Sequence, residues 1–197
     1  TRRSSDLLML NKEWVLMKVL LHLADGFEEI EALSTLDILR RADIDTTTVS
    51  IMGRIEVKSS RGVIIQADKI FSDINYQEFD MIILPGGPGT TLLDQHEELK
   101  SHLKNYDAEG KWIAALCAAP SVLGKLNLLN GKNAVCYPGY ENDLLGAKVS
   151  LNEKVVVDGN IITSRGPGTS FDFAFKIVEV LKGSVLVDEL KVKMLMS

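Results

Sequence analysis

Gly110-Lys111-Trp112-Ile113-Ala114-Ala115-Leu116-Cys117-Ala118-Ala119-Pro120 is the stretch that decides the fold, because an apolar run stops on a cysteine and passes at once into a proline-led segment. Ile113 to Leu116 has the length and composition of a strand covered on both faces, and Pro120 suits the first turn of a helix continuing through Ser121 to Leu126. A strand that turns so sharply into a helix tolerates only small side chains two residues either side of the apex, and Ala115 and Ala119 hold those places. Cys117 is then the apex of a nucleophile elbow. At a helix N-terminus the dipole and free N–H groups favour a thiolate, which is expected to bring the cysteine from about 8.5 into the range of roughly 3.5 to 7.5. The same eleven residues also fit an inert buried cysteine, since free cysteine is among the most buried residue types.

Working outward, strands and helices alternate. Lys18 to Leu23 reads as a central strand, broken by Asp25-Gly26 before a helix from Glu28 to Arg41, with helical spacing at Ile30, Leu33, Leu36 or Asp37, and Ile38. Asp45 to Ser50 follows as a strand, then a hairpin of Ile55–Val57 with Val63–Ile65. Met81 to Leu84 is a short buried strand ending in Pro85-Gly86-Gly87-Pro88-Gly89, with a helix over Glu97 to Asp107. After the elbow, strands are predicted at Asn133–Cys136, Lys148–Val149, Val155–Val157 and Ile161–Thr163, the last two joined by a tight turn at Asp158-Gly159-Asn160. Helices over Ser170–Leu181 and Val185–Met196 close the chain.

This alternation predicts an α/β fold with a mostly parallel sheet and helices on both faces, whose ligands bind beyond the carboxyl ends of the strands. The loops after three different strands carry Glu28 to Glu31, Gly86-Gly87 and Cys117. They converge on one edge if the strands are neighbours. Acids in a first helical turn complement the dipole, and that suffices for Glu28 and Glu29. Glu31 shares a stripe with Thr35, Ile38 and Ala42, so it can point inward, where desolvation would raise its pKa and let it share a proton with Cys117. It also fits a first-turn cap. The paired glycines lack the continuation of a phosphate loop and suit instead a backbone donor to an oxyanion, with the Ala118 amide as a second.

With 197 residues, 46% hydrophobic and 25% charged, the chain suits one domain that buries about 70% of its unfolded surface. Residues 1–16 precede Met17 and read as an extension to a single domain over 17–197; Arg2-Arg3 and Leu7 to Leu10 only faintly imitate a signal peptide, since Asn11-Lys12-Glu13 interrupt the run. A net charge of −5 gives no footprint for nucleic acid, and no segment reaches the roughly 18 apolar residues of a membrane span. Cys117 and Cys136 are the two cysteines, too few for a disulfide framework and without metal-ligand spacing; a cytoplasmic setting is expected, with no metal and no cofactor. His22, His96 and His102 are scattered along the chain.

With these motifs quoted, the chain resembles the ThiJ/PfpI superfamily, and within it the Parkinsonism-associated deglycase subfamily. The carriers are Ala24-Asp25-Gly26-Phe27-Glu28-Glu29-Ile30-Glu31, Leu84-Pro85-Gly86-Gly87, Ala114 to Pro120 and Ser164-Arg165-Gly166-Pro167-Gly168-Thr169-Ser170. The resemblance covers about Met17 to Lys182. It implies a flavodoxin-like three-layer sandwich, a homodimer, a readily oxidised Cys117 and a protonated Glu31 beside it. It also implies backbone donors at Gly86, Gly87 and Ala118, and places Arg41, Arg61, Arg165 and Pro167 near the pocket or the dimer contact. Ala118 stands where the protease-like and chaperone-like branches have a histidine, and Tyr137 where the deglycase subfamily often has one. Proteolysis is therefore not expected, and Tyr137 is assigned to shaping the pocket. Two functions follow from the resemblance: a cysteine-dependent enzyme on small 2-oxoaldehydes, of glyoxalase or deglycase type, or a non-enzymatic oxidative-stress sensor or redox-regulated chaperone.

Overall fold

The computed structural model describes residues 17–196. The extension read at 1–16 lies outside them. Seven strands form the central sheet: β1 (Lys18–Leu23), β2 (Asp45–Ser50), β5 (Lys69–Ile70), β6 (Met81–Leu84), β7 (Trp112–Leu116), β10 (Val155–Asp158) and β11 (Ile161–Ser164). Their order is β10-β11-β7-β6-β1-β2-β5, parallel except for β10, which pairs antiparallel with β11. Two small ribbons stand apart, β3 (Glu56–Lys58) with β4 (Ile64–Gln66) and β8 (Asn133–Ala134) with β9 (Lys148–Val149). The strand predicted over Asn133–Cys136 is thus two residues long and pairs outside the main sheet.

The pleat divides the core. Val19, Leu21 and Leu23 of β1 pack with Met81, Ile83, Ala114 and Leu116 against α1 (Glu29–Arg41), α5 (Ser170–Lys182) and α6 (Ser184–Lys193). Leu20, Ile82, Leu84, Ile113 and Ala115 face α2 (Thr90–Gln95), α3 (Glu97–Glu109) and α4 (Pro120–Lys125). Buried on both faces, each large apolar residue contributes about 1.5–3 kcal/mol, which is why the strands read as continuous apolar runs.

Two helices show their sequence signals directly. Glu28 caps α1 by accepting the Glu31 N–H at 2.8 Å, and Arg40 and Arg41 occupy its last turn, complementing the dipole. The buried stripe is Glu31, Thr35, Ile38 and Ala42, as the spacing predicts, whereas Ile30 is 53% exposed: it sits off that stripe. α3 starts at His96, whose ring accepts the Leu99 N–H, and stops at Gly110 in the left-handed conformation. β5 and α2 were not foreseen. Both are too short for periodicity to register, and α2 begins with two threonines, poor helix formers.

At the carboxyl ends the chain leaves β1, β6 and β7, which lie side by side. The connection after β1 runs to one side of the sheet and that after β6 to the other, so the crevice of an α/β fold opens there.

Candidate active site

Cys117 has φ +64°, a left-handed conformation rare for a residue with a side chain. It is held there from both sides: its N–H donates to Ser164 O at 3.0 Å, and its carbonyl accepts the Tyr137 N–H at 2.8 Å. The elbow is built on small residues as predicted, with Ala115 and Ala119 fully buried and Pro120 opening α4. The thiol is nearly covered, at 8% exposure.

Glu31 reaches this elbow from α1. It is fully buried, and its Oε2 accepts the Gly86 N–H at 2.7 Å. A Cβ on Gly86 would lie 2.5 Å from Cys117 Cβ, 2.9 Å from Glu31 Oε2 and 3.0 Å from Cys117 Sγ, so acid and thiol meet across a position only glycine can hold. Gly87, at φ +90°, allows the next close approach: a side chain there would strike Gly26 O at 2.6 Å and Glu28 N at 2.7 Å. Backbone bonds from Glu28 N to Gly86 O and from Gly89 N to Gly26 O, both 3.0 Å, tie the two loops together.

Burial pushes the Glu31 carboxyl up to about 7, against the thiol contact and the Gly86 N–H, which pull it down. Burial also pushes the Cys117 thiol up, and the Glu31 charge and hydrogen bond push it further, opposed by the N–H groups of Gly87 and Ala118. The expected lowering at a helix N-terminus is not what this environment gives, since α4 is only six residues long and the site is dry. Acid and thiol titrate as a coupled pair, with burial holding each toward its neutral form.

The remaining predicted residues divide. Gly87 and Ala118 direct their amides at the sulfur, whereas the Gly86 amide is committed to Glu31 and is not a donor to a substrate oxyanion. Tyr137 stands beside the elbow, its ring against Gly166. Pro167 opens the turn Pro167–Thr169, fixed by Thr169 Oγ1 on Gly166 N and Ser164 Oγ. Arg165 bonds Leu151 O and lowers the pKa of Cys136, which burial and Glu141 nevertheless push up to about 11. Arg61 lies in the turn of the β3–β4 ribbon, its N–H on Glu29 Oε1 at 2.6 Å. Arg41 is not in the pocket: it pairs with Asp37 at 2.6 Å on an exposed face, about 15 Å along α1 from Glu31.

Two features escaped sequence reasoning. Glu29 is more than a first-turn acid, because its carboxylate accepts Ser59 Oγ, Ser60 Oγ and Arg61 N and pins the β3–β4 ribbon to α1. The three histidines are not scattered in space. His22 bonds Tyr76 Oη at 2.7 Å, His102 stacks on Tyr76 with centroids 3.6 Å apart, and Phe71 packs on His96 at 4.2 Å. The even pleat of β1 turns His22 toward α3, which carries the other two at its cap and second turn.

The elbow, the buried acid and the glycine loop now stand together, and the sequence matches the DJ-1/PfpI family over residues 17–180. The chain belongs to that family. Protein DJ-1 homolog B of Arabidopsis thaliana is 40% identical over 84% of this chain, which spans 38% of that relative's length. A protein named as a deglycase from Pyrococcus abyssi is 30% identical, covering 84% of this chain and all of its own. The crystal structure of Drosophila melanogaster DJ-1beta superposes with TM-score 0.88 at 38% identity, over 92% of this chain and 98% of that one. The flavodoxin-like sandwich expected of a DJ-1/PfpI member is therefore the fold observed. Among the described residues no helix is long and apolar enough to cross a membrane, and no group of side chains could hold a metal ion.

Proposed function

We propose that this DJ-1/PfpI chain is a cysteine-dependent enzyme acting on small 2-oxoaldehydes or their early adducts with amines. The observation that carries this reading is Glu31: a buried carboxyl near pKa 7, in contact with a thiol held at a strained elbow. A general acid–base is most effective when its pKa lies near the working pH. The relative named as a deglycase supports the same class.

In the proposed cycle Glu31 takes the Cys117 proton and the thiolate attacks the aldehyde carbon, forming the C–S bond of a hemithioacetal while the new alkoxide recovers a proton. Glu31 then removes the C–H proton from that carbon and returns it to the neighbouring carbonyl carbon, while the hydroxyl proton on the first carbon passes to the oxygen of the second. One carbon is oxidised to a thioester as the other is reduced to an alcohol, so no external oxidant is needed. Water cleaves the thioester, releasing a 2-hydroxy acid and the free thiol. The amides of Gly87 and Ala118 serve the sulfur side of these steps.

A second reading rests on the same contacts. Two N–H groups and a neutral carboxyl around one sulfur would also hold a sulfinate, so Cys117 as a peroxide sensor follows from the same site. Lactate formation from methylglyoxal by purified protein and by Cys117→Ser separates the two. Turnover that survives the substitution, or none in the native protein, rejects the enzymatic reading. A homodimer is proposed with either, and sedimentation at micromolar concentration tests it.

A further inference from the structure

Gly166 locates one wall of the site. A Cβ built there would lie 3.1 Å from Tyr137 Cδ2, 3.6 Å from Cε2 and 4.0 Å from Cys117 Sγ. The edge of the phenol ring and the sulfur are thus about 7 Å apart at most, separated only by a residue without a side chain. Tyr137 is fixed at its backbone by its N–H on Cys117 O, and it remains 46% exposed. Among the described residues no side-chain hydrogen bond engages its hydroxyl, and the half-exposed ring offers its face as surface.

A 2-oxoaldehyde joined to Cys117 carries its substituent on the carbon next to the one bonded to sulfur. With Glu31 and Gly86 closing one side of the sulfur and Tyr137 lying beyond Gly166, the ring is within reach of that substituent. Resting on the reading above, we propose that Tyr137 is a specificity-determining residue: its ring is a platform that favours 2-oxoaldehydes with an aromatic or bulky apolar substituent over methylglyoxal. Aromatic pairs form with centroids 4.5–7 Å apart and add about 0.5–1.5 kcal/mol beyond simple burial, a preference of roughly two- to tenfold.

The test uses two readouts on the native chain and on Tyr137→Phe, Tyr137→Leu and Tyr137→Ala. The first is the ratio of kcat/KM for phenylglyoxal over methylglyoxal. The second needs no turnover: the ratio of Cys117 alkylation rates by phenacyl bromide and bromoacetone, each divided by its rate with free glutathione. The platform predicts that both ratios fall about three- to tenfold in the Ala variant, fall partly in the Leu variant and persist in the Phe variant. Ratios unchanged in the Ala variant, or equally lost in the Phe variant, overturn the proposal. If no 2-oxoaldehyde is turned over by the native chain, the enzymatic reading fails, and the alkylation ratio still decides the role of Tyr137.

Discussion

Two buried clusters of titratable groups flank the same strand, and only one of them has the makings of a site. At the carboxyl end of β1, Glu31 meets Cys117 beside a strained backbone, and burial has moved the acid up to about 7, into the working pH range. On the α3 side, His22, Tyr76 and His102 are stacked, and burial drives each away from it: His22 down to about 3, Tyr76 well up, His102 down. Burial alone therefore does not mark function. What separates the clusters is that the first joins an acid to a thiol, whereas the second holds stacked rings that burial keeps neutral, with one bond between His22 and Tyr76.

The largest expected effect breaks the comparison outright if it fails. Cys117→Ser should lower 2-oxoaldehyde turnover about a thousandfold or more and abolish alkylation at this position, while Cys136→Ser leaves both intact. Retained turnover in Cys117→Ser would leave the first cluster no more catalytic than the second.

The two clusters should also bend stability in opposite directions with pH. Glu31 has a folded-state pKa above its unfolded value, so its contribution is full below about 4.5 and is lost as pH rises to about 7. Glu31→Gln should gain on the native chain over that window by on the order of 3 kcal/mol, while losing turnover and keeping an alkylatable Cys117. His22 has a depressed folded-state pKa, so its contribution is present above about 6.5 and is lost as pH falls toward 3. His22→Gln should flatten that acid-side loss. Denaturant melts at intervals from pH 4 to 8 measure both, and like-signed differences in the two variants would refute the contrast.

A smaller effect sharpens it. Gly86→Ala forces a methyl to within 2.5 Å of Cys117 Cβ and should cost about 1–3 kcal/mol together with most of the turnover. Tyr76→Phe removes the hydroxyl facing His22 Nε2 and should cost about 1–2 kcal/mol with turnover unchanged. A Tyr76→Phe protein with impaired kcat would tie the two clusters together and erase the distinction.

The sequence made the elbow legible because a turn that tight restricts its neighbours to Ala115 and Ala119, a constraint local enough to leave a pattern. Glu31 was legible for the same reason, since its inward direction follows from the spacing to Thr35 and Ile38. The role of Gly86 was not, because which acceptor its N–H meets depends on how two loops from different strands lace together. Nor was the convergence of His22, His96 and His102, which arises from strand order and from where α3 crosses the sheet. Arg41, carried over with the motifs as near the pocket or the dimer contact, lies a helix length from the pocket, on an exposed face where it pairs with Asp37.

The left-handed backbone of Cys117 has a consequence for how this chain tolerates change. A side chain in that conformation is disfavoured by on the order of 1 kcal/mol relative to glycine. Cys117→Gly should therefore offset the lost packing of the buried side chain with relief of backbone strain, staying within about 1 kcal/mol of the native chain while lacking the thiol. A mutant library screened for heat resistance alone would then tolerate glycine at the position where the proposed chemistry resides. On the proposed function, the thiol would persist only under selection for its chemistry, and an assay of folding alone would not report its loss.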